Sequence, residues 1–379
     1  MFKNYFTLFI SLALSANTFF SATAQTKPLN ITTTAVPFLR INPDARSGGM
    51  GEVGIATSAD PNSSFLNNAK FTSAKNKSGI SASYVPWLRG LGLKDVYFTS
   101  LAGYLKLDET QAISGSFKYF SLGDIQFTDE NANNLSSYRP KEFSFDAGYA
   151  RKLSNKLSLG IAVRYIHSKL ANGTYNGQTY KAGSAVAGDI SLFHDGTSSM
   201  TSTGFNYGLT LSNLGSKISY TSNADRKDFL PANLGVGFAY TRVFNESTKL
   251  TVGLDVNKLL VPTPPRLSGN DTKQDSMMVA EYRNRGVLSG ISKSFNDGPG
   301  QIALGGEVMF QDQFTFRSGY FYETRSKGGR RYFTVGGGLS YTTFGINFSF
   351  IIPSGSYAGS RSPLENTLKT SVLFNFGNR

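Results

Sequence analysis

Along much of the chain, apolar and polar or small side chains take turns one by one. Leu157, Leu159, Ile161, Val163 and Tyr165 share one parity, and Ser158, Gly160, Ala162 and Arg164 the other. Phe344, Ile346, Phe348, Phe350 and Ile352 stand against Gly345, Asn347 and Ser349 in the same way. Leu250, Val252, Leu254 and Val256 likewise oppose Thr251, Gly253, Asp255 and Asn257. Successive side chains of a strand point to opposite faces, so each segment predicts a strand with one apolar and one polar or small face. A sandwich core and a lipid-facing barrel would both produce this pattern.

Segment length separates them. These runs are 9 to 12 residues long, whereas strands of soluble proteins cluster at about 5–6 and a tilted membrane-crossing strand needs about 9–11. Fourteen such segments are predicted, at 79–85, 95–107, 110–120, 142–151, 155–167, 184–194, 204–212, 232–243, 247–257, 300–310, 313–324, 331–341, 344–353 and 367–377. The even number fits a bacterial single-chain barrel. The connections alternate in length. Asp108-Glu109, 153–155, 245–247, 311–313 and Thr342-Thr343 are tight, while 121–141, 168–183, 213–231 and 354–366 are long, as expected of periplasmic turns and outer loops. Leu368, Thr370, Val372, Phe374 and Phe376 carry the alternation almost to Arg379, which suits a last strand that closes on the first and leaves no edge in lipid. The expected fold is therefore an all-β transmembrane outer-membrane barrel of about fourteen antiparallel strands, spanning 79–379.

One strand runs straight into a segment that forbids pairing. After Val256 the sequence reads NKLLVPTPP, with prolines at 262, 264 and 265; lacking N–H groups, they end the ladder where the strand leaves the membrane. A long outer loop, 258–299, is expected to follow. Within it Val287, Leu288, Ile291 and Phe295 recur at helical spacing and predict a short amphipathic helix over 286–295. The apolar Leu259, Leu260 and Val261 beside Pro262, Pro264 and Pro265 form a candidate docking surface above the membrane, together with Trp87 and Leu88 of the first outer loop.

The N-terminus sets the compartment. Residues 1–24 combine Lys3, an apolar centre from Tyr5 to Leu14, and an Ala22-Thr23-Ala24 exit, the pattern of a secretory signal peptide. Gln25 is then the first mature residue, where a lipoprotein would need cysteine. An exported chain of 379 residues with no cysteine, 40 glycines and 30 phenylalanines cannot be a disulfide-stapled scaffold. Residues 25–78 precede the first predicted strand. Within them SGGMGEVGIATSADPNSSFLNNAKFT (47–72) is too rich in small residues to face lipid. It is expected to fold back into the lumen as a plug or hatch, with Gly54, Asn67, Asn68 and Ala69 as its marker residues.

No catalytic constellation stands out. The two histidines, His167 and His194, lie at strand ends, and the GGRRYFTVGGG stretch (328–338) opens no helix as a phosphate-binding loop must. No enzyme, metal site or cofactor is expected. Formal net charge is +13, one less once Lys3 leaves with the signal. Arg89, Lys94, Arg266, Arg283, Arg285, Arg325, Lys327, Arg330 and Arg331 fall in predicted outer loops. There they could attract lipopolysaccharide phosphates; the compartment excludes nucleic acid.

An N-terminal hatch with an Asn-Asn-Ala-Lys box, ahead of about fourteen strands, resembles the FadL-type barrels. PFLRINPDARSGGMGEVGIAT (37–57), DVNKLLVPTPP (255–265), SGISKSFNDGPG (289–300) and FRSGYFYE (316–323) more specifically resemble the PorV family of type IX secretion outer-membrane proteins. Asn68 stands where relatives carry proline, and Gly298 where they typically carry alanine. The resemblance implies a role in protein secretion. Cargo bearing a C-terminal β-domain would be received from a very large translocon barrel and delivered to a surface-attachment complex. It also leaves two competing expectations, a FadL-type transporter of hydrophobic small molecules and a lipid A-modifying enzyme. The small and polar lumen face argues against the first, and the missing catalytic constellation against the second.

Overall fold

The computed structural model describes residues 31–128, 134–171, 173–175, 178–197, 201–221, 227–268, 272–296, 300–354, 364 and 366–377. The signal peptide expected over 1–24, Gly298 and Arg379 lie outside the described residues. Among the described residues there are eighteen strands. Fourteen of them form one closed barrel: β1 (Ser78–Pro86), β2 (Val96–Lys106), β3 (Gln111–Leu122), β6 (Lys141–Lys152), β7 (Leu157–Lys169), β10 (Gly183–His194), β11 (Gly204–Gly215), β12 (Asn233–Asn245), β13 (Thr248–Leu259), β14 (Gln301–Phe310), β15 (Phe314–Glu323), β16 (Arg331–Tyr341), β17 (Phe344–Pro353) and β18 (Leu368–Phe376). The other four make two small hairpins inside long connections, β4 (Ile125–Thr128) with β5 (Asn134–Tyr138), and β8 (Gly173–Tyr175) with β9 (Gln178–Tyr180). These hairpins were not anticipated.

Every barrel neighbour is antiparallel, and closure comes from β1 on β18, with Ser78 opposite Phe376 and Tyr84 opposite Thr370. The predicted parity is realised. On β7, Ile161, Val163 and Tyr165 face outward and are 44–61% exposed, while Ser158, Ala162 and Arg164 turn inward and are buried. Closure gives every strand of the wall two neighbours to pair with, which removes the sheet edge that hydrocarbon would not tolerate. Among the described residues no helix is long and apolar enough to cross a membrane; the crossing is by strands. Two of the tight connections, at 311–313 and Thr342-Thr343, bend through left-handed backbone at side-chain-bearing residues. Gln311 and Asp312 have φ of 52° and 55°, the paired positive values of a hairpin turn whose twist matches its strands.

Among the described residues three α-helices accompany the strands: α1 (Ala45–Gly49), α2 (Thr272–Asn284) and α3 (Val287–Ser294). α3 lies where the apolar spacing predicts it. α2 was not legible, because TKQDSMMVAEYRN has no apolar stripe and buries none of its residues.

Candidate functional site: the filled lumen and the outer loop layer

The segment before β1 reaches strands on all sides of the barrel. It is built of short turns, each started by a side chain that caps it. Asp44 accepts from the backbone N–H of Arg46 (3.0 Å) and Ser47 (2.9 Å) at the start of α1. Asp60 and Ser63 form a reciprocal capping box, and Asn67 accepts from Ala69 N–H at 3.0 Å. These caps satisfy donors that a helix start leaves open, which lets so short a chain fold without an apolar core of its own.

Ion pairs and polar anchors then tie it to the wall. Arg46 takes Glu307 of β14 with two hydrogen bonds, of 3.0 and 2.9 Å, and Asp60 at 3.1 Å. Glu307 also accepts from Arg317 of β15 at 2.7 Å. Asp255 of β13 accepts from the N–H groups of Gly54 (2.7 Å) and Ile55 (3.0 Å). Ala45 N–H donates to Ser371 of β18, and Lys369 of β18 pairs with Glu52 at 2.5 Å. On the opposite side Asn67 donates to Leu192 O of β10, and Asn68 Oδ1 accepts from Ser114 of β3 at 2.9 Å. The predicted markers Gly54, Asn67, Asn68 and Ala69 are thus all buried against the wall. Asn68 makes a side-chain contact that proline could not. Close approach is made possible by wall glycines. A Cβ on Gly305 or Gly319 would come within 2.1 or 2.3 Å of Met50 backbone.

Burial shapes the charges of this segment. Desolvation, helped by Asp60, pushes the Asp44 carboxyl up to about 6, and desolvation draws the Lys70 ammonium down to about 8. Lys70 is served by Gly54 O at 2.8 Å and Thr57 Oγ1 at 3.3 Å. Burial also works against the Arg46 charge, but Glu307 and Asp60 outweigh it and hold the guanidinium ionised.

At the outer end the chain expected to dock partners behaves differently from its sequence reading. Leu259, Leu260 and Val261 are 3%, 3% and 1% exposed. Leu259 and Val261 pack with Phe229, with Tyr282 of α2 against them. Leu260 N–H donates to Ala232 O at 2.8 Å, Tyr282 Oη donates to Pro262 O at 3.2 Å, and the Cα of Gly290 in α3 faces Phe229 and Pro262. The expectation of an exposed apolar surface at 259–261 is therefore corrected. The prolines turn the chain back under α2 and α3, and the three apolar side chains become the small core of the loop layer. Pro262 is buried, Pro264 and Pro265 are half-buried, and Trp87 and Leu88 are half-buried against apolar clusters just inside the mouth. The apolar side chains left in the open are on the helices and their flanks: Leu267 (56%), Met277 (59%), Leu288 (82%) and Phe295 (55%). Helical spacing pointed to Leu288 and Phe295; nothing in the sequence distinguished Met277.

The loop cations divide. Arg89, Lys94, Arg266, Arg283 and Arg325 are exposed, whereas Lys327 is buried and Arg330 pairs with the fully buried Glu323. His167 Nδ1 lies 3.0 Å from Ser184 Oγ on the outer surface and its ring is 5.0 Å from that of Phe143. His194 stacks on Tyr207 at 4.4 Å. Among the described residues no carboxylate orients either ring, so no catalytic triad is assembled.

Comparison with known proteins bears on what such a barrel is. A family model described as "Type IX secretion system protein PorV" matches residues 22–266. The chain belongs to the PorV family. No curated protein matches the sequence. Among solved structures, this PorV-family chain is similar to the toluene transporter TbuX of Ralstonia pickettii, with a TM-score of 0.51 at 11% identity, covering 88% of this chain and 98% of that one. It is equally similar to a mutant of the monoaromatic hydrocarbon channel TodX, with a TM-score of 0.52, 11% identity and the same coverage. At that identity the likeness shows the fold, a FadL-like outer-membrane barrel, and the chain is a bacterial outer-membrane protein.

Proposed function

We propose that this PorV-family barrel receives secreted cargo carrying a C-terminal β-domain from a large outer-membrane translocon barrel and delivers it to a surface-attachment complex. In this reading the segment 47–72 is a hatch that keeps the lumen closed, and the loop 258–299 offers the docking face. The observation that carries the reading is a contrast in where apolar surface is left free. The segment before β1 is ion-paired and packed against inward-facing wall residues, while Met277, Leu288 and Phe295 stand exposed on a loop layer with its own core. A preformed layer loses little conformational freedom when a partner settles on it. Exposed Arg266 and Arg283 beside it give an acidic partner, or lipopolysaccharide phosphates, a long-range attraction.

A transporter of hydrophobic small molecules is supported less well. Such a site calls for a mostly apolar pocket, whereas the lumen cavity sets Arg40, Lys118, Arg330 and Lys369 among its apolar lining of Trp87, Phe321 and Ile351. The test is the double variant Leu288→Ser/Phe295→Ser. Its barrel is expected to insert normally, as read by heat-modifiable gel mobility, while co-purification of cargo and translocon falls at least several-fold. Undiminished secretion and co-purification would overturn the docking role.

A further inference from the structure

Two cavities in the lumen, of about 140 and about 60 Å3, share Lys118 as a lining residue. The side chain is carried by β3 and is 3% exposed. An ammonium group has three protons to place. Among the described residues Lys118 Nζ makes one hydrogen bond, a long one of 3.4 Å to Leu39 O, and sits 5.0 Å from the Phe65 ring centroid. A buried cation this sparsely served is costly unless something else answers it.

The charge lining the larger cavity is not balanced by the carboxylates beside it. The larger cavity is lined by Arg40, Lys118, Arg330 and Lys369 against a single carboxylate, Glu52. Glu323, just behind, takes both Arg40 and Arg330, and Glu52 takes Lys369. Next to Lys118, Arg164 is held by Asp146, Asp189 and Asn213. Counting all of these, five cations face four carboxylates, and Lys118 is the cation without a direct carboxylate partner. The same cavity presents the opposite need at one point: Glu52 Oε2 is buried and has no hydrogen-bond donor. The Asn257 side chain on this wall uses its oxygen to accept from Asn233 at 2.8 Å, which leaves its amide N–H groups as donors.

We infer that this compartment binds a small oxyanion that keeps a hydroxyl group, with hydrogen phosphate as the simplest case. Its charged oxygens would meet Lys118 and the Asn257 amide, and its O–H would donate to Glu52. A cavity of about 140 Å3 holds several water molecules and so admits an ion of five heavy atoms, but not a lipid acyl chain. Because Leu39, Arg40 and Glu52 come from the segment before β1 and Lys118, Asn257 and Lys369 from the wall, the bound ion would bridge the two.

The probe is inorganic phosphate, titrated calorimetrically into the purified full-length barrel in a buffer free of other oxyanions, with sulfate as the comparison ion. Saturable one-site binding of phosphate is expected, with sulfate at least about tenfold weaker because at neutral pH it has no hydroxyl to donate. Lys118→Met should weaken phosphate at least about tenfold, Lys118→Arg should retain it, and Lys293→Met on the outer loop should change nothing. Asn257→Ala gives a second, milder reading, a several-fold loss, should Lys118→Met fail to assemble. No saturable binding by the wild-type protein, or equal binding by the wild type and both the Lys118→Met and Asn257→Ala variants, overturns the inference. Equal affinity for sulfate and phosphate overturns the hydroxyl requirement.

Discussion

Neither the segment before β1 nor the loop layer above the mouth is a strand of the barrel, and the two are anchored by different kinds of contact. The first is pinned by charge: Arg46 between Glu307 and Asp60, Glu307 shared with Arg317, and Glu52 on Lys369. The second is pinned by apolar contact, with Phe229, Leu259 and Val261 packed together and Tyr282 of α2 against them. The difference follows from the walls each must meet. A barrel wall whose outer face belongs to lipid keeps mostly small and polar residues for its inner face, so the segment against it relies on ion pairs, supplemented by apolar contacts where the wall carries Phe98, Phe321 or Tyr332. A loop in water has no such constraint and folds as a small soluble structure does, by burying its apolar residues. Charge networks also fix one geometry, because a partner removed leaves its mate buried and uncompensated, whereas an apolar cluster degrades by degrees.

That contrast breaks most sharply at Glu307. Glu307→Gln leaves Arg46 and Arg317 facing each other without their shared carboxylate, and removing one member of a buried ion pair costs about 3–5 kcal/mol. The loss should appear in the lumen segment and not in the wall. Amides of 44–60 are expected to exchange with solvent orders of magnitude faster, while the barrel stays heat-modifiable on gels. Wild-type exchange rates across 44–60 would show that the charge network is not what holds the segment.

The apolar side is probed by Leu260→Ser/Val261→Ser. Both side chains are buried in the loop layer, and truncating a buried aliphatic residue costs about 2–5 kcal/mol. The layer is small and water-bounded, so a cost near the lower end is expected, read as rapid proteolysis within 258–296 with insertion unimpaired. If the loop stays protease-resistant, the cluster around Phe229 is not its core. Lost barrel assembly would mean that the layer and the wall are not independent.

How far the sequence carried this picture depends on the same distinction. Strand positions were legible almost to the residue, since parity is a local property repeated along each segment: β7 was expected at 155–167 and runs Leu157–Lys169. The contacts of 47–72 with the wall were legible only as composition, in its small residues. Its anchors were not, because Asp255, Glu307 and Lys369 lie some 200 to 300 residues away and look like ordinary inward-facing positions. Leu259, Leu260 and Val261 were misread for a related reason. An apolar triplet beside prolines looks exposed until one knows that Phe229 and Tyr282, far along the chain on either side, return to cover it. α2 escaped because nothing in its sequence is periodic.

Lys70 offers the mildest test, on the charged side of the comparison. Its ammonium is drawn from 10.5 down to about 8 by burial, so between about pH 8 and 10.5 the unfolded chain keeps a proton that the folded protein has released. Stability therefore rises with pH across that window. Below pH 8 both states carry the proton, and the desolvation cost is fully present and constant. Lys70→Met removes the titrating group along with the hydrogen bonds to Gly54 O and Thr57 Oγ1. The variant should show a flatter dependence on pH from 8 to 10.5 than the wild type, measured as amide exchange protection across 54–72 after correction for the intrinsic chemical rate. The loop layer serves as the internal reference, since Lys70 does not touch it and its protection should follow pH identically in both proteins. An unchanged slope in the lumen segment would mean that Lys70 keeps an ordinary affinity for its proton, and that the polar filling is hydrated well enough to cancel the cost of burial.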